Sequence, residues 1–239
     1  MREQRWDDAN SASPPWMLTT GGVAALLLAA GYVATMPLFS MVGAPPEGTL
    51  ERIEYHTTGT TTWWGIVALS ILTDLLFVPV SVALYVALRR TSQPAMLISV
   101  GFILLFVALD LAVLWPAKVA LITLGDAYAT APPDERASLV AAAGYPSVVL
   151  DSILTAIYSV LTLGIGILGV GLVMLRSSFG RVTAIVGVAT GLVSLASVAE
   201  TILTGAFPVL VVGASLMTII WLILTGYGLL RLGGVSRQG

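Results

Sequence analysis

The sequence has no cysteine, one histidine, one lysine and few charges of either sign. Without cysteine there are no disulfides, thiolate metal sites, iron–sulfur ligands or cysteine nucleophiles. A single imidazole, His56, excludes bis-histidine haem and the multi-histidine metal centres of most metal-dependent hydrolases. No Ser/His/Asp arrangement, P-loop or HExxH is present, and nothing calls for a cofactor. Retinal attachment would need a lysine deep in a span, and Lys118 lies near a span end. An enzyme is therefore the least favoured class. The scarcity of lysine beside ten arginines is a habit of composition, as in a high-GC or halophilic prokaryote, and a prokaryotic cell is the expected host, with the cytoplasmic membrane the expected location once the spans below are counted.

Only 10% of the 239 residues are charged and 57% are hydrophobic, with a mean hydropathy of +0.95. Soluble domains carry roughly 25% charge, and a globule of this size has no way to hide so much apolar surface from water. The solvent that suits this chain is lipid. A hydrocarbon core of about 30 Å takes roughly 20 apolar residues as helix. Six runs qualify: Trp16–Ser40, Thr62–Leu88, Ala95–Leu124, Ser147–Leu175, Val182–Gly205 and Phe207–Leu230. The fold class is thus all-α, a polytopic six-helix membrane bundle over residues 16–231, with tails at 1–15 and 232–239. The first run is too long for a signal peptide and lacks a clear cleavage site.

Orientation follows from the arginines. Arg2, Arg5, Arg89, Arg90, Arg176, Arg181, Arg231 and Arg237 fall on one side of such a bundle; Arg52 and Arg136 fall on the other, with Lys118 near that boundary. Both termini are expected inside. The second, fourth and sixth spans all end in Leu-Arg (Leu88-Arg89, Leu175-Arg176, Leu230-Arg231), the ordinary ending at an anionic inner leaflet. The first and third loops, both outer, are long enough to fold. One short helix is expected after Pro45-Pro46-Glu47, through Leu50 to Tyr55. Another should begin at Pro132-Pro133-Asp134-Glu135 and run to Gly144, since proline and acids suit a helix start. These loops are acidic, so that face gathers cations modestly and repels nucleic acid.

Four acids lie inside the runs: Asp74, Asp110, Asp151 and Glu200. A charge at the bilayer centre is costly, so such residues face the bundle interior, pair, or line a polar cavity. At 1.5 Å per residue they lie about 22, 24, 37 and 28 Å from the inner boundary, all in the outer half, with Lys118 at about 36 Å. Two groupings follow: a Lys118–Asp151 ion pair near the outer boundary, and a deeper cluster of Asp74, Asp110 and Glu200. Clustered carboxylates repel one another, so they would share a proton or a cation. The cluster is then a proton, cation or small-molecule site. The plainer alternative ties Asp74 and Asp110 to neighbours such as Ser70, Thr73, Trp115, Tyr158 and Thr201, with Asp151 and Glu200 reaching the wet interface. On that alternative the protein is a structural or accessory component acting through a partner.

Gly187 and Gly191 form a GxxxG, extended by Ala184 and Ser194 into a small-residue face suited to packing within the bundle or to a homo-oligomer. Gly164, Gly166 and Gly169 match G-x-G-x-x-G, but in mid-span, with no strand before them, they serve close helix approach rather than a dinucleotide. Pro79, Pro116 and Pro208 lie in or beside spans, where proline is common. Trp16, Trp63, Trp64 and Trp115 sit near predicted interfaces, as aromatic belts do. His56 is expected to be solvated in the first outer loop, with weak metal binding beside Glu51 and Glu54 as the other option.

The run from Asp74 to Arg90 (DLLFVPVSVALYVALRR) resembles a stretch of uncharacterised bacterial and archaeal six-span proteins, a domain-of-unknown-function family. That resemblance implies a six-helix bundle and carries no activity with it.

Overall fold

The computed structural model describes residues 14–46, 48–57, 59–177, 179–204 and 209–235. Arg2, Arg5, Glu47, Arg237 and the Gly205–Pro208 turn lie outside the described residues. The elements are α1 (Pro15–Val42), α2 (Thr49–Thr57), α3 (Thr60–Leu88), α4 (Gln93–Leu109), a π-helical turn (Asp110–Leu114), α5 (Trp115–Thr130), α6 (Pro133–Asp151), α7 (Ile153–Met174), α8 (Arg181–Thr204) and α9 (Val209–Val235). No strand occurs among the described residues. Six helical segments are long and apolar enough to cross a bilayer, with α4, the π turn and α5 counting as one continuous rod over Gln93–Thr130. The chain is a multi-pass membrane protein whose apolar surface meets lipid.

Local sequence explains the boundaries. Proline at the first or second position opens α1, α4 and α6, where its missing N–H is no loss, while Pro116 sits inside the continuous rod just past the π turn. Gly43, at φ 76°, ends α1 in a conformation only glycine takes cheaply, and its N–H donates to the Phe39 carbonyl. Gly59, at φ 73°, separates α2 from α3. Ser152 is extended and its hydroxyl accepts from the Leu154 N–H at 3.3 Å, which starts α7.

That cap corrects the expected fourth span. Residues 147–151 belong to α6, which runs through Gly144 and Pro146 to Asp151, and the crossing segment begins at Ile153. The third span exceeds its expected length at both ends. At 1.5 Å per residue its 38 residues measure about 57 Å, well beyond a hydrocarbon core. The excess of α5 is the platform on which α2 and α6 pack, around buried Ile53, Leu121 and Ala143. These three elements form a cap over one end of the bundle.

Each spanning helix packs on the next in chain order, and α9 closes on α1, so the six spans make a ring. In the half away from the cap the ring is filled: Leu28, Phe77, Leu84, Met96, Ile103, Met174 and Trp221 are all buried there. Glycines bring the helices together. Gly22 and Gly226 place α1 against α9, and a Cβ on Gly191 would sit 2.7 Å from the Leu168 Cα and 2.8 Å from the Gly164 carbonyl. Gly187 meets the Trp221 indole and Gly171. The GxxxG face of α8 is thus used inside the bundle, against α7 and α9. Gly166 and Gly169 lie against Ile103 and Ser99 of α4, so the G-x-G-x-x-G residues are contact points of a helix.

Candidate functional site: a two-carboxylate cavity in the cap half of the ring

In the cap half the ring is not filled. A cavity of about 500 Å³ lies between α1, α3, α4, α7, α8 and α9, within the range of small-molecule pockets. The sequence explains why it stays open. Side chains that face inward here are short and polar (Thr35, Ser70, Thr73, Ser159, Ser194, Thr218), where the opposite half has Leu, Ile, Met and Phe. Aromatic rings complete the wall: Tyr32 and Phe39 from α1, Phe106 from α4 and Trp115 from α5. Phe77 of the filled half lies 6.2 Å from the Tyr32 ring and 5.6 Å from Phe106, joining wall to core.

Asp74 and Asp110 both line this cavity, and both are buried, with 3% and 5% of their surface exposed. One oxygen of each is held by a neighbouring helix. The Trp115 indole N–H donates to Asp74 Oδ2 at 2.6 Å, and the Ser159 hydroxyl donates to Asp110 Oδ1 at 2.7 Å. Asp110 opens the π turn, whose closing bond runs from the Trp115 N–H to the Asp110 carbonyl. A π turn absorbs one extra residue. It lets Asp110 face the ring interior while Trp115 swings back to Asp74. Two fixed carboxylates in an apolar, aromatic enclosure attract positive charge, and the rings add a cation–π contribution.

Glu200 is not part of this wall. The inward face of α8 is Ser194, Ser197, Val198 and Thr201, which leaves Glu200 about 100° to one side of Thr201 on a 3.6-residue helix. Its Oε2 accepts from the Leu210 N–H at 3.3 Å, at the start of α9. Of the three acids expected together, the structure unites two.

The expected Lys118–Asp151 pair is also replaced. Asp151 bonds Arg52 of α2 at 2.6 Å, and Lys118 lies over the Trp63 ring, 4.5 Å from its centroid. The reason is the packing of α2. It brings Arg52 under α6, where the guanidinium also donates to the Ser147 and Pro46 carbonyls. His56 is not solvated. It is 1% exposed and stacks on Trp63 with centroids 4.6 Å apart, while its Nδ1 bonds the Arg52 carbonyl. Burial, together with the nearby Lys118 and Arg52 charges, lowers its pKa to about 4. Trp63 and Trp115 face inward, whereas Trp16 and Trp64 are exposed. Among the described residues no group of three histidines or acids has a metal-ligating arrangement.

Of the neighbours named for the acids, Trp115 bonds Asp74. Ser159 stands next to Tyr158, the residue singled out for that role, and is the one that reaches Asp110. Tyr32 and the rest of the α1 wall gave no signal, since an aromatic in a span is ordinary. By sequence alone Arg52 is one charge of the first outer loop. The proline and acid pattern at α6 gave no hint that its far end would carry Asp151 to it.

Neither the curated proteins nor the solved structures include a match to this chain. A family described as a domain of unknown function (DUF4386) matches residues 19–231, from the first turns of α1 to the last of α9. That span takes in all six crossing helices, both cap helices and both cavity carboxylates, and the chain belongs to this family.

Proposed function

We propose that the protein binds, and carries across or into the membrane, a small organic cation with an apolar body, using Asp74 and Asp110 as its counter-charges. One observation supports this above the rest: two buried carboxylates from adjacent spans line one 500 Å³ cavity whose other large surfaces are aromatic. Among the described residues each carboxylate has its donor from the protein on one oxygen, leaving the other for a ligand. The arginine distribution puts the cap outside, so the cavity lies in the outer leaflet half, nearer the exterior. The host is a prokaryotic cytoplasmic membrane.

The test is a matched pair of ligands with the same shape and different charge: benzyltrimethylammonium and neopentylbenzene. Binding to purified protein in a neutral detergent is expected to saturate for the cation, and to be at least tenfold weaker for the neutral isostere. Asp74→Asn and Asp110→Asn should each weaken the cation tenfold or more. Equal binding of the two ligands, or undiminished cation binding by the double variant, would overturn the reading.

A second reading has its own support. The Trp115–Asp74 and Ser159–Asp110 bonds each tie two helices, as polar glue does in membrane bundles. On that reading the protein is an accessory component acting through a partner or a second copy. The Asn variants then lose stability while neither probe binds the parent protein.

A further inference from the structure

A second cavity, of about 260 Å³, lies under the cap, lined by Arg52 and His56 of α2, Lys118 of α5 and Asp151 of α6, with Phe39 and Leu150 among its apolar walls. Its charges do not balance: two cations, Arg52 and Lys118, face one carboxylate, Asp151, and that carboxylate is committed to Arg52 at 2.6 Å. Among the described residues Lys118 has no carboxylate within ion-pair distance and rests on the face of Trp63. An ammonium so placed in a membrane helix is costly unless something of opposite charge joins it. Two further buried polar atoms of these residues, Arg52 Nε and His56 Nε2, have no hydrogen-bond partner among the described residues. Arg52 and His56 are 5% and 1% exposed, so their presence at this wall is built by packing rather than by a surface rotamer.

We propose that this cavity is a binding site for a singly charged oxoanion, held by Lys118 Nζ and Arg52 Nε and contacted by His56 Nε2. The shared ligand chemistry is one negative charge spread over two or more oxygens beside a short apolar body, as in a carboxylate or a phosphate diester. Lys118 supplies the missing counter-charge, and Arg52 Nε supplies a directed donor that its Asp151, Ser147 and Pro46 contacts leave free.

His56 makes the site proton-linked. With Nδ1 donating to the Arg52 carbonyl, Nε2 of the neutral ring is an acceptor and opposes an oxoanion. The groups that face it are Arg52 and Tyr55 on its own helix, Lys118 on α5 and Asp151 across the cavity; Asp126, next to Gly125 behind the ring, is bonded to Thr60. Burial, Lys118 and Arg52 together keep the ring neutral, with a pKa of about 4. An arriving anion reverses that balance, so one proton taken from solvent onto Nε2 accompanies binding and converts the acceptor into a donor. Affinity then rises as pH falls, by up to tenfold per pH unit when the uptake is complete.

The experiment uses the full chain, with tryptophan fluorescence and calorimetry as readouts. Sodium butyrate and its neutral analogue butyramide are titrated in lipid-free neutral detergent; in a second arm, phosphatidylglycerol is compared with phosphatidylcholine in nanodiscs. Butyrate binding with no butyramide binding assigns a free carboxylate. Stabilisation only by phosphatidylglycerol assigns a lipid headgroup. In either arm Lys118→Gln should lose at least tenfold in affinity, Lys118→Arg should retain binding, and His56→Gln should abolish the rise in affinity between pH 7.5 and 5.5. Lys118→Arg also guards against a variant that merely fails to fold. Binding unchanged in Lys118→Gln, equal binding of butyramide, or no response to either anion would overturn the proposal.

Discussion

His56 gives the sharpest stability prediction. In the unfolded chain its imidazole takes a proton near pH 6.5, its ordinary value. In the folded protein, with its ring buried and stacked on Trp63 near two cations, it does so only at about 4. Between those values the unfolded state binds more protons than the folded one, so stability is lost as pH falls across that window. The 2.5-unit gap corresponds to about 3 kcal/mol, fully present above pH 6.5 and lost by pH 4. His56→Gln keeps a donor for the Arg52 carbonyl and removes the titration. Both proteins would be unfolded by guanidinium chloride in neutral-detergent micelles from pH 7.5 to 4, in cationic buffers such as bis-tris and piperazine that offer no oxoanion. Carboxylates that titrate in the same range are common to both, so the difference between the two curves isolates His56. The variant should start less stable at pH 7.5, having lost the ring stack, and should lose about 3 kcal/mol less on acidification. Curves that stay parallel throughout would refute a neutral, buried His56.

Gly191→Leu should destabilise the bundle by about 1–3 kcal/mol through overpacking between α7 and α8, read as a lower melting temperature in detergent. Gly101→Ala is the control: nothing lies within 4 Å of a Cβ there, so the melt should hold or rise. Trp115→Phe removes the donor to Asp74 and should cost about 1–3 kcal/mol, and Asp74→Asn in that background should recover part of it. The absence of cysteine makes topology easy to test: with Thr91→Cys and Ser138→Cys in intact cells, an impermeant maleimide should label only Ser138→Cys.

The spans were legible because lipid imposes a length and composition that few other folds share, and the crossing helices overlap the predicted runs, with the fourth starting at Ile153 and the third longer at both ends. Asp74 and Asp110 were legible for the same reason, since a charge in an apolar run stands out against its background. Which way a side chain turns was not. Glu200 is one residue from the inward-facing Thr201, and depth along a helix says nothing about azimuth. The Lys118–Asp151 pairing failed because depth matches two residues along an axis only, while α2 delivers Arg52 to Asp151 instead. Ser152 is a single hydroxyl in a run that reads as continuous helix, and its capping role depends on a backbone angle that composition does not reveal.

The π turn at Asp110–Leu114 makes the two cavities answer to backbone winding as well as to side-chain identity. Its five residues sweep about the same angle as four in plain helix, so winding them as α-helix, with none removed, would rotate everything beyond by about 100°. Trp115 would leave Asp74 and Lys118 would leave Trp63 in the same step, although neither residue had been altered. Such a rewinding would therefore act as a double mutation, disabling both cavities, while the rod still crosses the membrane. A one-residue deletion inside the turn, by contrast, would let plain helix hold Trp115 and Lys118 where they are.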